Sequence, residues 1–264
     1  VHAANPDDHV FEVTADYVNI SGFTVEGASG HVIAGIYLKA DYCNISNNNV
    51  LNSFFGIWLY ESSNNTITSN NANSNHDGIR LDYSSNNTLT NNNANLNSDG
   101  IDLIYSDNNI ITNNNANSND FSSVHVEQSS NNTIINNNAN SNDYCGIYLI
   151  YSNNNIVMNN NVNSNYLRGI ELHESSNNTI TKNNVSNNRC GIFLYSSSNN
   201  NKIYLNNFIN NTYNAGSTSS TNIWNSTEKI TYTYNGNTYT NYLGNYWDDY
   251  TRSDSDGDGI GDTP

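Results

Sequence analysis

Apolar residues return along this chain at a nearly fixed interval, with asparagine and serine between them. A glycine followed by an aliphatic residue recurs at Gly35, Gly56, Gly78, Gly100, Gly146, Gly169 and Gly191, and Ser123 before Val124 fills the gap. The steps are 21, 22, 22, 23, 23, 23 and 22 residues. Four apolar columns run through the repeats. Ile36, Ile57, Ile79, Ile101, Val124, Ile147, Ile170 and Ile192 form the first. Leu38, Leu59, Leu81, Leu103, Val126, Leu149, Leu172 and Leu194 follow two residues later. The third runs Ile45, Ile67, Leu89, Ile111, Ile134, Val157, Ile180 and Ile203, and the fourth Val50, Ala72, Ala94, Ala116, Ala139, Val162, Val185 and Phe208.

The first two columns alternate with polar residues, which is strand periodicity. A unit this short holds two or three strands and no helix. The predicted fold is therefore all-β: a right-handed parallel β-helix, or β-solenoid, in which each repeat is one coil stacked ~4.8 Å from the next. Phe11, Val13, Ile20 and Val25 supply an earlier coil, giving about nine. Such a stack is a rod of ~43 Å. One asparagine column, Asn48, Asn70, Asn92, Asn114, Asn137, Asn160, Asn183 and Asn206, and one serine column, Ser62, Ser84, Ser106, Ser129, Ser152 and Ser175, are read as structural ladders and corners.

The repeat fades near residue 212. "ITYTYNGNTYTNY" places Asn235-Gly236 between alternating Tyr and Thr, the signature of a hairpin. A hairpin there is expected to cover the open edge of the last coil, with Tyr246, Trp247 and Tyr250 packed against it. The division expected is 1–211 β-helix, 212–250 hairpin and aromatic cap, and 251–264 acidic tail. In the tail, Asp254, Asp256, Asp258 and Asp262, with Gly259 and the carbonyl of Ile260, have the spacing of hard oxygen ligands for Ca²⁺. Asp248 or Asp249 is a candidate to complete the shell.

Composition narrows the function. Aromatics include 19 Tyr, charged residues are 12%, and the net charge is -16 over 264 residues. That charge excludes phosphate-backbone binding, so no nucleic-acid partner is expected. No apolar stretch is long enough for a transmembrane segment. No signal peptide precedes Val1, which reads as a mature start or as the boundary of a fragment. Sequons at Asn19, Asn64, Asn86, Asn131, Asn177 and Asn225 fit an exported glycoprotein. Cys145 and Cys190 lie two coils, ~9.6 Å, apart, beyond disulfide reach, and Cys43 sits elsewhere on its coil. Free thiols or inter-subunit links are the open alternatives. One Met and scattered Cys and His make a poor copper site.

The repeats resemble those of the NosD-like, carbohydrate-binding and sugar-hydrolysis superfamily. They are most similar to Asn-rich surface proteins of methanogenic archaea, where "GNYWDDYTRSDSDGDGIGDTP" resembles a recurring closing segment. The resemblance implies a right-handed β-helix and leaves function open among lyases, hydrolases, epimerases, binding modules and surface-layer components. Members usually carry a further N-terminal coil and residues beyond this last Pro, which implies a fragment or a processed chain.

One face of the expected rod varies from coil to coil. Tyr37, Trp58, Arg80, Asp102, His125, Tyr148, Glu171 and Phe193 point outward between the first two columns. Beside them run Lys39, Tyr60, Asp82, Ile104, Glu127, Ile150, His173 and Tyr195. Tyr37, Trp58, Arg80, Tyr148 and Phe193 are the candidate carbohydrate-binding residues, rings for stacking and a cation for uronates. Asp102, His125, Glu127 and Glu171 are the candidate catalytic residues. Asp102 and Glu127, offset on adjacent coils, are expected ~8 Å apart, within inverting-glycosidase range. The leading reading is an extracellular or cell-envelope structural module, glycan-contacting and able to self-associate head to tail. The competing reading is a lyase or hydrolase of acidic envelope polysaccharide.

Overall fold

The computed structural model describes residues 1–261, so Asp262 of the expected calcium set lies outside the described residues. All regular secondary structure within them is strand. The chain winds as a right-handed parallel β-helix of about nine turns. Its first sheet has ten parallel strands, from Phe11–Val13 to Tyr213–Thr218, and its second has nine, from Asn19–Ser21 to Lys202–Tyr204. The third side begins with Thr24–Glu26 against Asn49–Leu51. It continues as single bridges from Asn49 through Asn71, Asn93, Asn115 and Asn138 to Asn161, then widens again into strands.

Register follows the repeat. Ile79 pairs with Ile101 and Ile101 with Val124 in the first sheet, and Leu89 pairs with Ile111 in the second. The four apolar columns are buried in one continuous core. Burying a Leu or Ile side chain contributes roughly 1.5–3 kcal/mol, so these columns drive the winding.

Corners need residues that accept a left-handed backbone, and asparagine accepts it most readily. Asn64, Asn86, Asn131 and Asn177 occupy one such corner with φ of 61°, 60°, 60° and 60°. These four sequon asparagines are exposed in a single row.

Inside the coil, asparagine does different work. The backbone N–H of Asn92 donates to Asn114 Oδ1 at 2.9 Å. Its amide donates to the same oxygen at 3.0 Å and to the Ile67 carbonyl at 2.9 Å. Each rung thus satisfies backbone groups that the turn leaves without strand partners. The ladder repeats from Asn48 to Asn206 and gains a last rung at Asn245, which accepts from the Asn206 amide at 2.9 Å. Two further ladders run through Asn65, Asn87 and Asn109 and through Asn75, Asn97 and Asn119. The serine column is a fourth: Ser84 N–H donates to Ser106 Oγ at 3.0 Å.

Coils approach most closely at the glycine column. A Cβ on Gly78 would lie 2.6 Å from the Gly100 carbonyl oxygen. Ser123 takes this position in one coil. Its hydroxyl donates to the Ala116 carbonyl and accepts from the Asn142 amide at 2.6 Å.

The hairpin forms as expected, Ile230–Tyr234 against Asn237–Asn241, with Asn235 and Gly236 at positive φ. Among the described residues it pairs with no coil strand. The segment after it takes over part of the expected capping role. Tyr246–Trp247 pairs with the last strand of the third side, and Trp247 stacks on core Phe208 with centroids 4.6 Å apart. Tyr246 is exposed. Asp248 accepts from the Asn210 N–H at 2.5 Å and from the Asn214 amide at 2.9 Å, and Asp249 accepts from Asn214 at 2.8 Å. These two carboxylates are engaged in the cap. All three cysteines are free.

Asn114→Ala removes the acceptor for Asn92 and leaves buried donors without partners, so it is expected to cost at least about 2 kcal/mol. Exposed Asn93→Ala is expected to stay within about 0.5 kcal/mol. Chemical denaturation of the two variants measures the difference.

Candidate functional site

The first sheet carries the variable rows, and glycine shapes what they present. In "DGIRLD" both Gly78 and Ile79 are buried, which breaks the alternation and turns Asp77 to the same face as Arg80 and Asp82. Asp99 occupies the same position one coil later. Neither Asp77 nor Asp99 was among the expected site residues. The "DG" step ahead of the column was the available signal.

Arg80 is the hub. Its Nε donates to Asp82 Oδ2 at 2.8 Å, and its Nη1 donates to Asp102 Oδ2 at 2.8 Å and to Asp77 Oδ2 at 3.2 Å. Its guanidinium lies 5.0 Å from the Phe55 ring centroid. Trp58 Nε1 donates to Asp82 Oδ2 at 2.7 Å. On the other side of Asp102, Oδ1 lies 2.9 Å from His125 Nδ1. Strand register makes this chain of contacts possible, because Trp58, Arg80, Asp102 and His125 are successive partners. Asp102 is only 2% exposed, so the row faces outward yet is roofed by its longer neighbours.

Burial of four acids around two cations perturbs their protonation. Burial and the nearby Asp102 push Asp99 up to about 8. Asp77 is raised for the same two reasons. Burial opposes charge on His125, but its hydrogen bond and attraction to Asp102, with Asp99 and Glu127 adding, outweigh that and raise it to about 9. The imidazolium is therefore the neutral-pH form, and its Nε2 has no hydrogen-bond partner among the described residues.

Aromatic rings flank this cluster. Phe121 and Tyr144 stack at 4.6 Å, and Tyr148 packs on His125 at 5.4 Å. Tyr37 and Trp58 lie 4.9 Å apart toward the N-terminal coils. The adjoining corner holds Tyr83, Tyr105 and Tyr151 at φ 51°, 49° and 52°, a conformation that Asn and Ser fill at most corners. A bulky residue is disfavoured in that conformation. All three tyrosines are exposed, and Tyr83 stacks on Tyr105 at 5.0 Å.

The expected residues are distributed as follows. Arg80, Asp102 and His125 meet directly. Glu127 pairs in register with Ile104 and Ile150, and its carboxylate has no hydrogen-bond partner among the described residues. Asp102 is joined to His125 and Arg80. Glu171 lies three register steps from Asp102, fully buried, accepting from Arg168 and from the Cys145 thiol at 3.0 Å. Phe193 sits under the Arg168 guanidinium at 4.4 Å. In the tail, one carboxylate oxygen each of Asp254, Asp256 and Asp258 lies within 4.8 Å of the others.

A family model described as "Periplasmic copper-binding protein (NosD)" matches residues 9–94 and 72–252. The chain belongs to the NosD family. No curated protein matches this sequence. Among solved structures it is similar to the A-module of mannuronan C-5 epimerase AlgE4 from Azotobacter vinelandii, with TM-score 0.64, 14% identity, and 82% of this chain and 74% of that one covered. It is also similar to the periplasmic alginate epimerase AlgG, with TM-score 0.62, 15% identity and coverage of 81% and 72%. An alginate lyase from Paenibacillus sp. str. FPU-7 matches with TM-score 0.59, 13% identity and coverage of 81% and 88%. At these identities the likeness is one of fold.

Copper, named in the family description, wants imidazole, thiolate and thioether donors. Among the described residues, one group of three or more His, Cys, Asp or Glu converges within ligand distance, and it is the all-carboxylate Asp254, Asp256 and Asp258. The donors of this NosD-family chain do not fit copper.

The raised groups set a pH dependence. His125 has its folded value above the unfolded one, so its contribution is complete below about 6.5 and is lost as pH rises through about 9. Asp99, also raised, adds a loss in the same direction between its ordinary value of 3.8 and about 8. Thermal unfolding is expected to show lower stability at pH 9 than at pH 6, with a smaller difference in His125→Gln.

Proposed function

We propose that this chain is an exported module that holds acidic polysaccharide along the first sheet of its β-helix. The observation that carries the reading is the Arg80–Asp102–His125 cluster, flanked by exposed tyrosines, on a face that varies while the rest of the coil repeats Asn and Ser. Flat rings suit pyranose faces, and two cations held in place suit sugar carboxylates. Its fold relatives are alginate epimerases and lyases by title, which supports a carbohydrate role. The periplasmic description of the family supports export, and the described residues contain no helix long and apolar enough to cross a membrane. The resemblance to Asn-rich surface proteins favours the cell envelope as its place.

Affinity electrophoresis in gels containing polygalacturonate, alginate or neutral dextran tests the reading. Retardation is expected in the acidic glycans, reduced several-fold by the double change Tyr83→Ala and Tyr105→Ala. Equal mobility in all gels contradicts it.

One observation favours a second reading, turnover of the held glycan. Asp102 engages Nδ1 of His125 and Nε2 has no hydrogen-bond partner among the described residues, the arrangement of an oriented acid–base group. Release of unsaturated or reducing ends from these polysaccharides, abolished in His125→Gln, supports turnover; no release leaves the binding module.

The acidic tail is proposed as a Ca²⁺ site. Asp254 accepts from the Asp258 and Gly259 N–H groups at 3.1 and 2.9 Å, so the loop is already folded around its carboxylates. Tyr232 and Tyr239 hold it to the hairpin through the Asp258 and Gly257 carbonyls. Calorimetry should show Ca²⁺ binding that Asp256→Ala with Asp258→Ala abolishes; unchanged binding in the double variant contradicts the site.

A further inference from the structure

We propose that the groove between Arg168 and Arg189, at the C-terminal end of the first sheet, is a subsite for one hexuronate residue of the glycan. The inference rests on the glycan-holding reading above and adds the substrate class and the place where charge is read.

A cavity of about 470 Å³ opens there, lined by Leu167, Arg168, Arg189, Cys190, Phe193 and Tyr213, with Ala215 and Gly216. It exists because the outward column stops. Phe193 pairs in register with Gly216, which offers no side chain, so the row that fills the face elsewhere is missing for one coil. Phe193 takes part of the vacated surface. A Cβ on Gly216 would come 2.6 Å from Phe193 Cδ2, so the ring lies against the bare backbone.

Cations are scarce in this protein, 8 Lys and Arg against 24 Asp and Glu, yet two arginines line this one groove. They are held differently. Arg168 is anchored: Nη1 donates to buried Glu171 and lies 3.4 Å from Tyr144 Oη, with the guanidinium over Phe193. Arg189 is exposed, and its guanidinium has no hydrogen-bond or ion-pair partner among the described residues. An unpaired guanidinium beside an aromatic floor selects a ligand that carries an anion and an apolar face together. A pyranose uronate has both, and a guanidinium binds a carboxylate through two parallel hydrogen bonds. A neutral sugar leaves the Arg189 charge unused. A phosphate group carries the anion without the flat apolar face that meets the Phe193 ring.

By register the groove spans the coils two to four steps from His125, about 10–20 Å along the rod. Tyr148 occupies the step between. One glycan chain lying along the sheet therefore reaches both sites.

Calorimetric titration of the full chain tests the subsite with three probes of equal length: an oligogalacturonate, a sulfated neutral oligosaccharide and the unmodified neutral oligosaccharide. The oligogalacturonate is expected to bind best, and Arg189→Ala to weaken it at least about tenfold. Arg189→Lys keeps charge without the two-pronged geometry and should fall between. Tyr213→Ala, exposed and outside the core, should weaken the same probe independently of the charge. If Arg189→Ala and Tyr213→Ala bind as the parent does while Tyr83→Ala with Tyr105→Ala loses binding, the subsite is overturned and the glycan-holding face stands. Tighter binding of the sulfated probe, lost in Arg189→Ala, overturns the uronate assignment. If the parent binds none of the probes, the reading of the face falls with the subsite.

Discussion

In a parallel β-helix every residue sits on its own counterpart in the next coil, and this vertical register governs the rest of the molecule. A polar side chain buried in one coil must be satisfied by the same side chain above and below, or by backbone. Asparagine meets the requirement because it both donates and accepts, as Asn92 does with Asn114 and the Ile67 carbonyl. Three asparagine ladders and one serine ladder let a chain with 35% hydrophobic residues close a continuous core. The glycine column follows from the same constraint, since neighbouring backbones approach too closely there for a Cβ.

Register also concentrates chemistry. Functional side chains can vary only where they leave the stack, on the outer rows of the first sheet. There, adjacent coils bring residues some 22 positions apart into contact, so Asp102 joins Arg80 and His125 without any local motif. Long neighbours cover the short acids, and desolvation raises Asp77 and Asp99 while Asp102 holds His125 protonated. The result is a buried ionic cluster on the outside of a rod. Exposed Tyr83, Tyr105 and Tyr151 flank it, in a backbone conformation that most corners reserve for small polar residues.

Much of this was legible beforehand. Four columns in register specify a solenoid, and Asn235-Gly236 between alternating Tyr and Thr specifies a hairpin. The outer row was readable because it alternates with the buried one. Asp77 and Asp99 were missed because simple alternation places them inward, and the glycine step that turns them out is a feature of stacking, invisible in one coil. Deep burial of Asp102 and Glu171 was likewise hidden, since it depends on which long side chains stand on the coils above and below. The strand pairing of Tyr246–Trp247 with the last coil was hidden for a different reason: Asn245 rejoins the ladder 39 positions after Asn206, where earlier rungs such as Asn92–Asn114 and Asn183–Asn206 are 22 or 23 apart.

A crystal structure of the chain with a bound oligogalacturonate tests the central claim most directly. The expected result is a sugar chain lying along the first sheet between Tyr83 and Arg189, with a carboxylate on Arg189 and another within reach of His125 Nε2. Sugar bound to the second or third side of the β-helix, with the Arg80–Asp102–His125 face bare, would contradict it.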